Sequence, residues 1–280
     1  MNNKLKKYSV IFVGPVLVSF IIIFVIPFVM GLYLSFCRFT TVDNAELIGF
    51  KNYIDAFSDR GFRDALWFTV KFTALSVVTV NLFAFIIALM LTRGMKGSNF
   101  FRTVFFMPNL IGGIVLGYIW NLIINGILGI FGVDITYSST FGFWGLIVLM
   151  NWQMIGYMMV IYIAGIQSIP TSLIEASKID GASYLQTLRQ IIIPMIMPSV
   201  TICTFLTLSN SFKLFDQNLA LTNGAPANET SMLALDIYNT FYGTFGQQGM
   251  GQAKAVIFTV FVALIAFLQI RLTRSREERA

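Results

Sequence analysis

An all-α membrane protein with six transmembrane helices is what this sequence predicts, on three observations. Hydrophobic residues make up 56% of the 280-residue chain and charged residues 11%, where a soluble domain carries ~25% charge. Apolar runs recur that reach the ~18 residues needed to cross a bilayer. Basic residues collect on alternate connecting segments, which puts both termini on the cytoplasmic side.

The runs place spans at 10–36, 67–91, 104–127, 143–166, 195–215 and 255–272. Glycines and asparagines interrupt the third. The inner segments then hold Lys4, Lys6, Lys7, Arg93, Lys96, Arg102, Lys178, Arg189, Arg271, Arg274, Arg276 and Arg279 against only Glu175, Asp180, Glu277 and Glu278, while the outer segments are net acidic. The formal net charge of +6 therefore reports topology and contact with anionic lipid heads. It does not point to nucleic acid, because no basic patch alternates with exposed aromatics on a soluble surface.

The basic start is followed by an apolar run too long for a signal-peptide core, with no small-residue cleavage site after it, so it reads as an uncleaved first span. Cys37 and Cys203 stand alone, without metal spacing. The outer segments 37–66 and 213–254 are too short for a second soluble domain, and the stretches 44–50 and 223–228 are rich in turn residues. The expectation is one membrane domain over 1–280, with a polar loop at about 168–190.

That loop carries its own folding signals. Pro170 and Ser172 open a helix, and Ser172 with Glu175 has capping-box spacing. Gly181 permits the positive φ that ends a helix. Ser183 with Gln186 has capping-box spacing again, so a second short helix starts at once. Two short helices joined at a glycine form a rigid knob between the fourth and fifth spans, suited to docking. The alternative is an amphipathic helix lying on the membrane.

Missing chemistry narrows the function. With no histidine in the chain there is no His base, His ligand or phosphorylatable His, which counts against a phosphotransferase permease. No Gly-x-x-x-x-Gly-Lys-Ser/Thr loop cradles phosphates. No carboxylate pair lies mid-membrane, where ion-coupled carriers place their coupling groups. An intramembrane enzyme is disfavoured because no acid, base, nucleophile or metal set converges. A secondary carrier remains the competing class. The sequence reads as a pathway whose engine sits on a partner.

The hairpin resembles the cytoplasmic "EAA" loop of ABC-importer permeases: Glu-Ala-Ala, three residues, Gly, nine residues, Ile-x-Leu-Pro. Here it is Glu175-Ala176-Ser177, Gly181 and Ile191-Ile192-Ile193-Pro194, with Ser177 for the second alanine and Ile193 for leucine. Other stretches are similar to the carbohydrate-uptake branch of those permeases, of maltose and multiple-sugar type. They are Gly49 to Tyr53, Phe62 to Thr69, Arg102 to Pro108 with Trp120, Ser211 to Asp216, Leu221 to Pro226, Thr230, and Ile237-Tyr238. The family usually has Gly-Gly-Pro where this chain has Gly224-Ala225-Pro226.

The resemblance implies a permease subunit of an ATP-driven importer, multi-pass in a bacterial plasma (inner) membrane, carrying a sugar or oligosaccharide. Another small polar solute is the alternative. The implied partners are a second permease subunit, different from this chain or a copy of it, two ABC ATPase subunits, an external solute-binding protein and the lipid bilayer. ATP and Mg belong to the ATPase; this chain is expected to bind no cofactor or metal and to be no enzyme. Glu175, Ala176, Ser177, Asp180, Gly181 and Ala182 are the implied coupling residues. A helix from Leu173 to Asp180 is ~12 Å long, enough to fill a groove. Glu175 and Asp180 offer charges to a basic partner, and Ala176 and Gly181 leave room for close approach.

For the solute path the candidates are polar residues within or beside spans. Gln153 and Tyr157 lie four apart on one helix face, with Asn151 and Trp152 beginning that segment. Thr204, Thr207 and Ser211 recur at helical spacing with Asn210 beside them, and Asn81 sits inside the second span. Neutral amides beside rings suit an uncharged polyol. The competing reading is that such groups bond their own helix or pack against a neighbour. Gly113 and Gly117 are expected to serve helix packing. Asp216 is expected at an outer gate, and Lys254 as an interfacial anchor.

Overall fold

The computed structural model describes residues 12–277. The basic start at Lys4, Lys6 and Lys7, the first two residues of the expected first span, and Glu278 and Arg279 lie outside the described residues, as do the side chains beyond Arg271. The chain packs as two compact units. One comprises residues up to Phe62 with Ile237–Thr259; the other comprises Arg63–Asp236 and residues from Val260 onward.

In the first unit, α1 (Phe12–Leu34) is apolar on all sides and none of its span is buried, as befits a helix whose solvent is lipid. Phe20, Phe24 and Phe28 stack along it at 5.2 and 6.1 Å. After it come two short strands, β1 (Cys37–Arg38) and β2 (Glu46–Leu47), antiparallel with Cys37 opposite Leu47. This ladder departs from the all-α expectation. Buried Asn52, on α2 (Lys51–Ser58), ties the turn by donating to the carbonyls of Ser35 (2.9 Å) and Cys37 (2.8 Å). The Ser35 and Tyr53 hydroxyls meet at 2.6 Å. The Gly49–Tyr53 motif is thus a structural lock for the loop.

The second long helix, α3 (Arg60–Leu91), begins seven residues before the apolar run at Trp67. Hydropathy cannot register a helix's polar end. Asp59 accepts from the Gly61 N–H at 3.0 Å and starts it.

The second unit corrects the third expected span. Arg102 to Pro108 does not belong to it: α4 (Ser98–Phe106) and a 3₁₀ turn at Met107–Leu110 precede an extended break at Ile111 and Gly112. The membrane-length helix is α5 (Gly113–Leu128), continued by a 3₁₀ turn to Phe131. Pro108 at the 3₁₀ turn and the Gly112-Gly113 pair divide what hydropathy reads as one run.

Helix α6 (Ser139–Gln167) is the centre of this unit. The Ser138 hydroxyl caps it by accepting from the Thr140 N–H at 3.2 Å, and Leu146, Leu149, Met150, Met158, Met159 and Tyr162 are fully or almost fully buried. Gly156 lies against the Phe105 carbonyl so closely that a Cβ has no room. The fifth expected span is bent. Helices Tyr184–Met195 and α9 (Met197–Phe212) meet at 69°, where Pro194 and Pro198 remove N–H donors around Ile196.

Beyond it lie α10 (Asp216–Leu221), α11 (Leu233–Gly243) and α12 (Gln248–Glu277). α10 packs on α5, where Gly113 faces Asp216 and Gln217, and Gly117 faces Ala220; the glycine pair does serve packing. Among the described residues five helices are long and apolar enough to cross a membrane, or six if the bent pair is one span.

Candidate functional site

The knob between α6 and α9 forms with its signals mostly as read. Its first helix, α7, covers Thr171–Ile179. The Ser172–Glu175 capping box is absent: Pro170 occupies the cap position, so Ser172 already lies in the first turn and no side chain caps the helix. The C-terminal end is a Schellman motif. The Ala182 N–H donates to the Ser177 carbonyl (2.9 Å) and the Gly181 N–H to that of Lys178 (3.1 Å). Gly181 sits at φ +75°, which a side chain would strain.

The second helix, α8 (Tyr184–Met195 including a π turn at Leu188–Ile192), opens with the capping box expected. The Ser183 N–H donates to Gln186 Oε1 at 2.7 Å, and the Gln186 N–H to Ser183 Oγ at 3.4 Å.

Ser177 turns out to be more than a mild replacement for alanine. It is buried, donates to the Ile174 carbonyl at 2.8 Å, and meets the buried Thr187 hydroxyl at 3.2 Å. Glu175, Ala176, Asp180 and Gly181 are exposed and Ala182 half-buried. Ile179 joins them on the outside with 86% of its surface exposed. The sequence reading did not single it out, because an apolar residue next to a helix end reads as packing.

A polar cavity of ≈ 400 Å³ lies among α6, α9 and α10, lined by Asn109, Met150, Gln153, Met154, Tyr157, Leu206, Asn210, Lys213, Leu214 and Gln217. Of the expected solute-path residues, Gln153, Tyr157 and Asn210 are brought together there. Gln217 was missed, lying past the end of the apolar run; its amide donates to Gln153 Oε1 at 2.8 Å. Asn109 and Lys213 complete the polar lining.

Three of the candidates lie elsewhere. The Asn151 amide donates to Thr79 Oγ1 (3.0 Å) and the Ile147 carbonyl (2.8 Å), binding α6 to α3. Ser211 is fully buried, without a hydrogen-bond partner for its hydroxyl among the described residues. Asp216 is exposed at the start of α10, against Gly113. Asn81 and Thr207 join a polar network between helices: the Tyr162 hydroxyl donates to Asn81 Oδ1 (2.9 Å) and the Asn81 amide to Thr207 Oγ1 (3.3 Å).

Lys254 is no surface anchor. It is 1% exposed and donates to Asp59 at 2.6 Å and Thr240 Oγ1 at 2.7 Å, with the Phe62 ring 5.4 Å away. Burial works against the Asp59 carboxylate, yet the Lys254 hydrogen bond and charge and the Gly61 and Phe62 N–H groups outweigh it and hold its pKa below the usual range. Among the described residues no group of His, Cys, Asp or Glu could hold a metal ion.

A family model described as "Binding-protein-dependent transport system inner membrane component" matches residues 8–277. A probable starch degradation products transport system permease protein, AmyD, of Thermoanaerobacterium thermosulfurigenes is 46% identical over 95% of this chain and 94% of its own length. The multiple sugar-binding transport system permease protein MsmF of Streptococcus mutans is 30% identical over 92% of each chain. Among solved structures, a chain of a bacterial ABC transporter involved in importing the acidic polysaccharide alginate superposes with a TM-score of 0.82. It covers 97% of this chain and 98% of that one, at 20% identity.

Proposed function

The chain belongs to the family of binding-protein-dependent transport system inner membrane components, multi-pass transport permease subunits rather than enzymes, and from that premise we propose that it forms a sugar path driven through its hairpin. The observation that carries the reading is the outward face of that hairpin. Glu175, Ala176, Ile179 and Asp180 are exposed on a helix closed at its C-terminal end by a Schellman motif and pinned to α8 by Ser177 and Thr187. A knob so braced transmits a push.

In this reading two ATP-binding-cassette subunits dock on the hairpins of this chain and of a second, different permease, and hold the ATP and Mg. This chain needs no cofactor of its own. The bent pair counts as one span, which gives six, with both termini and the hairpin cytoplasmic in a bacterial plasma membrane. The whole chain then works as one permease domain. An external binding protein delivers the solute, and closure of the ATPases drives the pair from inward- to outward-facing. The amides of Gln153, Asn210 and Gln217 and the Tyr157 ring offer hydrogen bonds and a stacking face to a polyol. Names of the relatives AmyD and MsmF supply the sugar class. Lys213 in the cavity lining favours a second reading, an anionic saccharide.

The test is a pull-down in mild detergent from native membranes, comparing the wild type with Gly181→Trp and Ile179→Asp. The wild type is expected to bring down an ABC ATPase, and both variants to lose it. Ile179→Asp changes an exposed side chain and leaves the Gly181 turn in place, so it separates docking from misfolding. No ATPase with the wild type would move a secondary carrier to first place. Competition of uptake by neutral against acidic oligosaccharides decides between the two solute readings.

A further inference from the structure

The inner side of the hairpin faces a second and larger cavity, ≈ 660 Å³, within the same compact unit as the polar one. Its lining is mostly apolar, with Leu89, Ile169 and Ile174 among its walls, and it includes two cations, Arg93 and Lys178. Among the described residues no Asp or Glu lines it. Neither cation has an ion pair among the described residues. Arg93 lies 4.3 Å over the Tyr184 ring, a stacking that uses the guanidinium's face and leaves its edge donors available.

The position matters as much as the lining. Arg93 comes two residues after α3 ends at Leu91, and Ile169 two residues after α6 ends at Gln167. The cavity therefore sits at the depth where two membrane-length helices stop, which is where phospholipid head groups begin. Apolar walls with two unneutralised cations at that depth complement one kind of molecule, a lipid with a net negative head. A soluble phosphate would leave the apolar walls unused, and a zwitterionic head would bring its own cation against Arg93 and Lys178.

We propose that this cavity holds one anionic phospholipid, its head group against Arg93 and Lys178 and an acyl chain along Leu89, Ile169 and Ile174. Lys178 and Tyr184 belong to the two helices of the hairpin, so the lipid braces it from within while its outer face stays open. The inference rests on the membrane placement proposed above but not on the ATPase or the solute.

The test is native mass spectrometry of the purified full chain in mild detergent, titrated with phosphatidylglycerol and with phosphatidylcholine. One phosphatidylglycerol is expected to be retained in preference. Lys178→Gln or Arg93→Gln should each cut that preference about five-fold, the effect of removing one interfacial charge of ~1 kcal/mol. Ile174→Trp, which fills the apolar wall and leaves both charges, should cut it too. Lys96→Gln, an exposed charge outside the lining, should not. Equal retention of the two lipids overturns the proposal, as does equal loss in Lys96→Gln or displacement by inorganic phosphate. Lipid retention without an ATPase in the pull-down would sink the import reading alone, and the converse would sink the lipid site alone.

Discussion

The hydroxyls of Ser177 and Thr187 meet at 3.2 Å across the hairpin, both buried, and join its two helices by their side chains. Ser177 also bonds the carbonyl of Ile174 on its own helix. Removing one partner leaves the other's hydroxyl buried with less to bond, at about 1 kcal/mol or somewhat more. Ser177→Ala and Thr187→Val should each speed amide exchange over residues 170–190. Their double variant should cost less than the two singles together, because they break the same bond. A strictly additive pair would mean that the bond contributes nothing.

Where α6 crosses the chain at Phe105, Gly156 is the point of closest approach. A methyl group there meets a backbone carbonyl, which cannot rotate aside. Overpacking of that kind costs about 1–3 kcal/mol or more. Gly156→Ala should lower the detergent-extracted protein's Tm by several degrees, and Gly156→Leu should abolish stable expression. Gly126, whose added Cβ meets nothing, should accept alanine without a measurable change.

The contrast between these glycines explains what the sequence made legible. Long apolar runs announce helices because lipid leaves no alternative to internal hydrogen bonding. The Gly181 turn and the Ser183–Gln186 box are local patterns, and local patterns can be read. Glycines and asparagines were seen to interrupt the third run, but its division at Pro108 and Gly112 was not placed, because hydropathy sums composition and ignores backbone breaks. Gly156, Gln217 and the buried Lys254 were missed for another reason. Each owes its place to a partner far away in sequence: Phe105, Gln153 and Asp59. Asn151 illustrates the same limit in reverse, since its side chain turns toward Thr79 and away from the cavity.

The Lys254–Asp59 pair is asymmetric, and so should be its variants. Lys254 is 1% exposed, while the Asp59 side chain is 32% exposed. Asp59→Ala takes a carboxylate partner from a buried cation that keeps its bond to Thr240, at about 3 kcal/mol. Lys254→Met replaces that cation by an apolar chain of similar length and leaves a carboxylate that water reaches, so it should cost less. Thermal unfolding of both variants in one detergent gives the order; a larger loss for Lys254→Met would contradict it.

Acid should act through the same pair. The pKa of Asp59 is lowered in the folded protein, so its contribution is present above the unfolded value of about 3.9 and is lost as pH falls through the folded value. Wild-type Tm should therefore fall more steeply below about pH 4 than that of Asp59→Asn, which has no proton to gain at that position. Parallel curves for the two proteins would show that other carboxylates dominate.

The polar cavity gives the sharpest test of which residues meet solute. Gln153 and Gln217 bond each other at 2.8 Å across it, so each amide is already oriented and keeps spare donors and acceptors for a ligand. Losing one amide removes hydrogen bonds to solute and leaves the other amide to water. Gln217→Ala should therefore raise the KM for uptake about ten-fold, the equivalent of one good hydrogen bond at ~1.4 kcal/mol, while ATPase docking at the hairpin stays intact. Asn151→Ala should instead lower stability and leave KM near wild type, since its bonds to Thr79 and Ile147 hold α6 to α3. Uptake kinetics and thermal unfolding measured on both variants separate the two roles. If Asn151→Ala carried the KM effect and Gln217→Ala did not, the solute path would run on the other face of α6.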